Sequence, residues 1–337
     1  MITILMPVFN ASKFLNESIG SVLAQDYKNW ELICIDDQSS DDSLSMLYDF
    51  SRKDARIKVY TKENEGPAQA RKLGLQHSSG DYVTLLDADD ALSPDFLSQT
   101  LAVATETDAD VVMPVLIQNW KSDNRSDYDF NLKNGLMFKQ EIAPRVAFLK
   151  TMPWRVHGLN LYKAEHFKKY ALSEISNINN YNADEYLTRF LLLYANKIVV
   201  SEGKYFYRAN NKSITTTFSL RRIGLLKTNE ALFNLAKKER FNDEELKMIA
   251  LHFLRLAAAL KYQLLKNKNK LNYSEMTNAI AEINKNYSWH NYLGNDFKTV
   301  LMRLFVLFYP SFFSSLLSMF VSIKMFFTNQ RHYKKPL

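Results

Sequence analysis

The sequence predicts an α/β protein: a Rossmann-like, mostly parallel sheet followed by a helical C-terminal region. Apolar runs alternate with helix-periodic stretches over the first ~110 residues, and that order implies parallel strands joined by crossover helices. The runs are continuously apolar, as strands buried on both faces must be. From residue 219 to 297 the apolar spacing is helical throughout.

The elements follow in chain order. ITILMPVF reads as a first strand. SKFLNESIGSVLAQ is a helix with Phe14, Leu15, Ile19, Val22 and Leu23 on one side. WELICIDD is a second strand, and DDSLSMLYDFSRKD a helix opened by acidic and serine caps. IKVYTKE, GPAQARKLGLQHSS and GDYVTLLDADD give strand, helix and strand. ALSPDFLSQTL begins another helix, with Asp90 as its entry residue. ADVVMPVLIQNW begins as a strand, and GLMF is a short apolar piece. NADEYLTRFLLLYA is a helix after an asparagine-rich loop, and KIVVSEGKYFYR a long strand or strand pair. EELKMIALHFLRLAAALKYQLL is the clearest helix of the C-terminal region. These segments divide the chain at 1–110, 111–218, 219–297 and 298–337.

The chain has 337 residues, 47% of them hydrophobic, which is ample for one large domain or two smaller ones. Its one cysteine, Cys34, lies in an apolar run. A disulfide framework within the chain is excluded, a reducing compartment is expected, and Cys34 reads as a small buried apolar residue. The opening MITILMPVFN is too short for a signal peptide and lacks a basic flank, so a cytoplasmic, unprocessed N-terminus is expected.

Charge is divided. Residues 1–219 hold 24 Lys and Arg against 28 Asp and Glu, whereas residues 220–337 hold 19 against 8. The basic back suits an anionic membrane surface. Leu and Phe dominate it, rather than stacking aromatics threaded through Lys and Arg, so no nucleic-acid partner is expected. From Leu304 to Ile323 the 20 residues carry no charge, a length that meets the criterion for a membrane span. Pro310 interrupts the run, and Ser311, Ser314, Ser315, Ser318 and Ser322 fall on one helical stripe. The expected role of 298–337 is peripheral docking on a membrane, with Lys324, Arg331, Lys334 and Lys335 toward lipid phosphates. Packing in the soluble body and a true span are the alternatives.

In an open α/β sheet the ligand sits beyond the carboxyl ends of the strands. Here those ends carry PVFN (Pro7 to Asn10), DDQSSDD (Asp36 to Asp42), KENEG (Lys62 to Gly66) and DADD (Asp87 to Asp90). Repulsion between carboxylates as close as Asp87 and Asp89 becomes tolerable when they share a divalent cation. Mg²⁺ or Mn²⁺ takes one or two carboxylates plus substrate phosphates. No Ser/His/Asp or Cys/His constellation competes.

PVFN, ICIDDQSSDDS, NEGPAQARKLGL, SSGDYVTLLDADD and the later NADEYLTRFL resemble, in order and spacing, the inverting GT-A glycosyltransferases of family 2. The resemblance covers the first ~90 residues, continues more weakly to about residue 218, and omits the C-terminal third.

The resemblance implies a GT-A fold, with residues 1–110 as the nucleotide-sugar half and 111–218 as the acceptor half. It implies that Asp37 accepts the uracil N3–H of a UDP-sugar, with Asp36 supporting the loop. Pro7, Phe9 and Asn10 would wall the uridine, and Asn64, Arg71 and Ala88 would also border the donor. Lys72 stands where the family usually has asparagine. Asp89 would bind Mn²⁺ or Mg²⁺ directly, with Asp87 beside it. Asp184 would be the catalytic base, with Glu185 the alternative, since Ala183 stands where the family's glutamate is common. The segment MPWRVHGLNLYK offers two readings: Trp154 stacking on a sugar ring with His157 at the acceptor or the metal, or a packed tryptophan and a surface histidine. Arg208, with Asn211 and Ser213, would lie in a loop closing over the donor diphosphate.

The implied activity is metal-dependent transfer of a sugar to a saccharide hydroxyl, free or lipid-linked, in cell-surface polysaccharide or lipopolysaccharide assembly. The expected location is the inner face of the plasma membrane. Transfer to a polyprenyl phosphate and a non-catalytic nucleotide-sugar-binding module are the rivals.

Overall fold

The structure is a computed structural model. It describes residues 1–306 apart from 122–126, 153–154, 175–182, 209–218, 286, 297–298, 301 and 304–305. For 171–174, 183, 184, 268 and 273 it describes the backbone alone. The chain divides into two compact units, Met1–Leu235 and Ala236–Leu337.

The first unit opens with β1 (Ile2–Val8), α1 (Ser12–Leu23), β2 (Trp30–Asp36), α2 (Ser43–Lys53), β3 (Ile57–Thr61), α3 (Pro67–Gln76) and β4 (Tyr82–Leu85). The strands are the buried apolar runs of the sequence; every residue of β2 is buried. After β4 come β5 (Ala91–Leu92), α4 (Phe96–Thr107), β6 (Val111–Trp120), β7 (Tyr128–Asp129) and α5 (Phe130–Lys133). The unit continues with α6 (Pro144–Thr151), β8 (Leu161–Lys163), α7 (Ala164–Glu174), α8 (Ala183–Leu193) and β9 (Ile198–Arg208). α9 (Leu225–Lys238) follows, and the division between units falls after Leu235.

All the described strands join one sheet in the order β3-β2-β1-β4-β8-β6-β9-β5, with β7 paired to β6. β3, β2, β1 and β4 are mutually parallel; β8 runs against both β4 and β6, and β6 is parallel to β9. The sheet is therefore mostly parallel and continues from 1–110 into 111–218 without a break. β5 has only two residues and is held by pairing antiparallel to β9, with Ala91 against Phe206 and Leu92 against Tyr205.

At the amino edge of the parallel strands, Glu31 is buried yet fully partnered. Thr3 Oγ1, Ser79 N and Lys58 Nζ donate to it at 2.6, 2.7 and 2.7 Å. Burial alone would raise its pKa; these donors outweigh it and bring it down to about 2. Gly80 completes the corner, because a Cβ there would lie 2.7 Å from the Thr3 nitrogen. Cys34 is fully buried, and burial pushes its thiol pKa up.

The second unit contains α10 (Asp243–Lys266) and α11 (Tyr273–Ile283). Each opens with a capping box, Asn242 with Glu245 and Asn272 with Glu275. α10 is long and apolar enough to cross a membrane by length and composition. Its apolar face (Leu246, Ile249, Phe253, Leu254, Ala257) is buried within the unit, with Phe253 edge-on to the buried Trp289. Lys261 is fully buried on the same helix and donates from Nζ to the Val306 carbonyl at 2.6 Å. Apart from Val306, the uncharged run Leu304–Ile323 lies outside the described residues.

Candidate active site

Strand register brings the carboxyl ends together. Val8 pairs with Asp36, Asp36 with Thr61, and Leu5 with Leu85. Past the strands, Asp37 N donates to Val8 O at 2.8 Å and Leu86 N to Leu5 O at 3.0 Å. The segments carrying Pro7 to Asn10, Asp36 and Asp37, Asn64, and Asp87 to Asp90 therefore share one rim.

The β2–α2 loop is tied to the start of α1. That helix has no side-chain cap of its own. Instead Ala11 N donates to Ser43 Oγ at 2.9 Å and Ser12 N to Asp41 Oδ2 at 3.1 Å, which satisfies groups a helix start leaves open. Burial opposes the Asp41 charge, but bonds from Ser43 and Ser12 bring its pKa to about 2. Asn10, at φ 50, accepts from Ser40 N at 2.8 Å and so holds the same loop. Phe9 beside it is 52% exposed, a large apolar ring left open at the rim.

Asp37 is buried and organises the β3–α3 turn. Its Oδ1 accepts from Lys62 Nζ and Glu65 N, both at 3.1 Å, and its Oδ2 accepts from Gly66 N at 2.8 Å. Gly66 has φ 91, a conformation glycine takes without strain. Asp36 is also buried; Oδ2 accepts from Ser39 N at 3.0 Å, while Oδ1 has no hydrogen-bond partner in the structure. Asn64 donates its N–H to Gln38 Oε1 at 3.2 Å.

The carboxylates after β4 separate by role. Asp87 Oδ1 accepts from Arg71 Nη2, a buried arginine of α3, at 2.9 Å. Asp89 and Asp87 are partly buried, with buried Ala88 between them. Asp90 corrects the sequence reading: it is not a helix-entry residue but is 1% exposed and bonded to β9. Burial first, then the charges of Asp87 and Asp89, push its pKa well above the carboxylate range. The α4 N-cap is Asp95 instead.

Arg208 also departs from expectation. Its Nε donates to Asp89 O at 2.7 Å, its N–H to Asp90 Oδ1 at 2.8 Å, and Nη2 pairs with Glu17 of α1. The guanidinium lies over Trp120 and Phe14. These contacts hold the carboxylate loop, rather than reaching out from a closing loop. Asn211 and Ser213 lie outside the described residues.

His157 is likewise displaced from its expected acceptor-side role. It is 1% exposed, Nε2 is 3.0 Å from Pro114 O, and Nδ1 accepts from Leu159 N at 3.3 Å. Both ring nitrogens are thus engaged by the backbone, and burial holds its pKa down to about 4. Trp154 lies outside the described residues.

α8 begins at Ala183, which sets Asp184 and Glu185 in its first turn. Glu185 Oε2 pairs with Arg189 Nη1 at 3.0 Å, and Arg189 Nε donates to Thr151 Oγ1 at 3.1 Å, fixing α8 to α6. Gly158 packs against the same helix, since a Cβ there would be 2.3 Å from Thr188 Oγ1.

Tyr205 was not foreseen. It is fully buried, donates to Asp90 Oδ2 at 2.9 Å and accepts from Asp87 N at 3.1 Å. Strand alternation over Glu202–Tyr205, polar outward at 202 and 204, was the available signal.

Among the described residues no group of three or more His, Cys, Asp or Glu side chains is arranged to hold an ion unaided. The all-oxygen donors of Asp87 and Asp89 fit a hard divalent cation that takes its remaining ligands from a bound phosphate. The charges of Asp87 and Asp89, which add to burial in raising the Asp90 pKa, are charges such a cation would offset.

The family model for glycosyl transferase family 2 matches residues 3–170. The glycosyltransferase GlyG of Streptococcus pneumoniae is 30% identical over 227 residues, covering 64% of this chain and 73% of that protein. An uncharacterized glycosyltransferase of Haemophilus influenzae is 47% identical over 102 residues, 30% of this chain and 41% of that protein. The GalNAc(5)-diNAcBac-PP-undecaprenol beta-1,3-glucosyltransferase of Campylobacter jejuni is 37% identical over 119 residues, 35% of this chain and 38% of that protein. Among solved structures, S. aureus TarS 1–349 in complex with UDP-GlcNAc superposes with TM-score 0.65 at 14% identity, covering 91% and 89% of the two chains. The mannosyltransferase PcManGT of Pyrobaculum calidifontis, in complex with GDP-Man and Mn²⁺, gives 0.53 at 15%, covering 91% and 84%. The chain belongs to glycosyl transferase family 2.

Proposed function

We propose that this chain is an inverting, metal-dependent glycosyltransferase that moves a sugar from a UDP-sugar to a saccharide hydroxyl during cell-surface polysaccharide or lipopolysaccharide assembly. The observation that carries the reading is the shared rim, where Asp87 and Asp89 stand beside the Phe9 and Asp37 segments. The UDP-GlcNAc bound to TarS supports the donor class. The undecaprenol-linked saccharide in the Campylobacter relative's name supports a lipid-linked acceptor, and the Mn²⁺ of PcManGT supports the metal.

Phe9 supplies an open aromatic face for the base, with Pro7 and Asn10 beside it. A carboxylate oxygen has two acceptor positions, so Asp37 Oδ2 keeps one for uracil N3–H besides the bond from Gly66. Asp89, with Asp87 beside it, holds Mn²⁺ or Mg²⁺, which when bound supplies Lewis-acid neutralisation of the leaving diphosphate. Asp184 takes the proton of the attacking acceptor hydroxyl. Attack opposite the leaving group inverts the anomeric carbon. Glu185, the alternative, is held in an ion pair with Arg189.

The test is a screen of UDP- and GDP-sugars for nucleotide release with Mn²⁺, comparing wild type with Asp89→Ala. Metal-dependent release by wild type alone is expected; no release from any donor would overturn the reading. The chain's place is the inner face of the plasma membrane, held by its basic C-terminal third. Retention on anionic liposomes should fall when the chain is ended at Phe297, and equal retention would sink the membrane claim.

A further inference from the structure

The end of one strand holds the carboxylate loop at both of its ends. Tyr205 and Arg208 of β9 make four hydrogen bonds to residues 87, 89 and 90. Tyr205 has a single hydroxyl hydrogen. It goes to Asp90 Oδ2, so a lone pair is left to accept from the Asp87 N–H. One buried oxygen therefore fixes the backbone at 87 and the side chain at 90, the two positions flanking Ala88 and Asp89.

Arg208 adds the carbonyl of Asp89 itself. Its guanidinium is in turn held by Glu17 and stacked over Trp120, so the support reaches α1 and β6. The backbone from which Asp89 projects is thus set from β9, more than a hundred residues away in sequence.

We infer that Tyr205, acting through Asp90, is a positioning residue for metal–diphosphate binding at Asp89. It touches neither ligand, and its contribution is to hold the loop in one conformation before they arrive. The ring and the hydroxyl are separable. A phenylalanine would keep the edge contact with Phe96 and the backbone pairing of Leu92 with residue 205, while Asp90 Oδ2 and Asp87 N–H would lose their partner.

The inference rests on the nucleotide-sugar reading above, so its test includes that reading as an arm. Mn²⁺ binding in the presence of UDP is followed by electron paramagnetic resonance on the full chain, with melting temperatures measured in parallel. Wild type, Tyr205→Phe, Asp89→Ala and Tyr162→Phe are compared. Tyr162 is the matched control: it is equally buried, and its hydroxyl also makes two bonds, to Gly158 O and from Asn160 Nδ2.

Tyr205→Phe should weaken Mn²⁺ binding about tenfold, since Asp90 Oδ2 and the Asp87 N–H both lose the hydroxyl that holds them. Tyr162→Phe should lower the melting temperature comparably and bind Mn²⁺ as wild type does. Wild-type affinity in Tyr205→Phe, or equal weakening in both variants, overturns the positioning role. Failure of wild type to bind Mn²⁺ with UDP overturns the reading at Asp89, and the positioning role falls with it. Should Tyr205→Phe not fold, Asp90→Asn carries the same prediction, because it keeps the side chain's size and gives up one of two acceptors.

Discussion

Arg71 Nη2 lies 2.9 Å from Asp87 Oδ1, so a buried guanidinium of α3 claims one oxygen of the first carboxylate after β4. This contact ties α3 to the carboxylate loop. The guanidinium offsets part of the Asp87 charge, and in the proposed function Asp89 is the direct ligand with Asp87 beside it. Arg71→Met keeps the stem and removes the charge. It should cost about 1–3 kcal/mol in denaturant unfolding and lower nucleotide release. Arg71→Lys should recover little, because lysine offers a shorter point charge in place of a planar fork.

The two acidic residues at the start of α8 should behave unequally. Glu185 is nearly half exposed and already paired with Arg189. Glu185→Gln should change stability by less than about 1 kcal/mol, as for other exposed pairs, and leave turnover within a few-fold. Asp184→Asn should lower turnover about 10²–10⁴-fold, the usual contribution of a general base. The reverse order in a nucleotide-release assay would transfer the base to Glu185.

Gly158 has room for no side chain. A Cβ there would stand 2.3 Å from Thr188 Oγ1 and 2.5 Å from Thr188 Cγ2. Gly158→Ala should displace α8, costing about 1–3 kcal/mol and reducing turnover together. Thr188→Ala in the same chain should restore most of both. Recovery is incomplete because Thr188 Cβ itself would be 2.9 Å away. Calorimetry and nucleotide release on the single and double variants check this.

Acid should weaken the fold first through histidine. The pKa of buried His157 is held down to about 4 from an ordinary 6.5. The unfolded chain therefore takes up this proton first as pH falls. The stability linked to His157 is complete above pH 6.5 and is lost by about pH 4, roughly 3 kcal/mol in all. His166, also held down by burial, acts in the same direction. Glu31 and Asp41, both brought to about 2, give way only at lower pH. Unfolding curves between pH 7 and 4 should be flatter for His157→Gln than for wild type.

Much of this molecule was legible where burial and chain direction agree. β1, β2 and β4 read as strands because a parallel strand covered on both faces must be apolar throughout, and their carboxyl ends then had to meet. β5 was missed because two residues carry no period; it exists by pairing with β9. Asp90 misled for a related reason. A carboxylate just before a helix normally caps it, and only the arrival of β9 from far along the chain turns this one inward. His157 looked like a site residue because a lone histidine beside a tryptophan and a glycine carries no mark of burial. Tyr205 could be read as inward-facing, but what it meets inside depends on sheet order, which local pattern does not encode.

The buried ammonium of Lys261 is worth a second thought for what it answers. In an α-helix a carbonyl is satisfied by the N–H four residues on, and a proline has none to give. Four residues beyond Val306 the chain reads Pro310. Lys261 Nζ donates a hydrogen bond to the Val306 carbonyl, a donor that Pro310 could not supply from its backbone. At Val306 the uncharged segment is therefore tied to α10 by a polar bond to a buried lysine, and not by hydrophobicity alone. Exchanging Lys261 for an apolar residue of similar size would leave the Val306 carbonyl without this donor, however well the replacement packed.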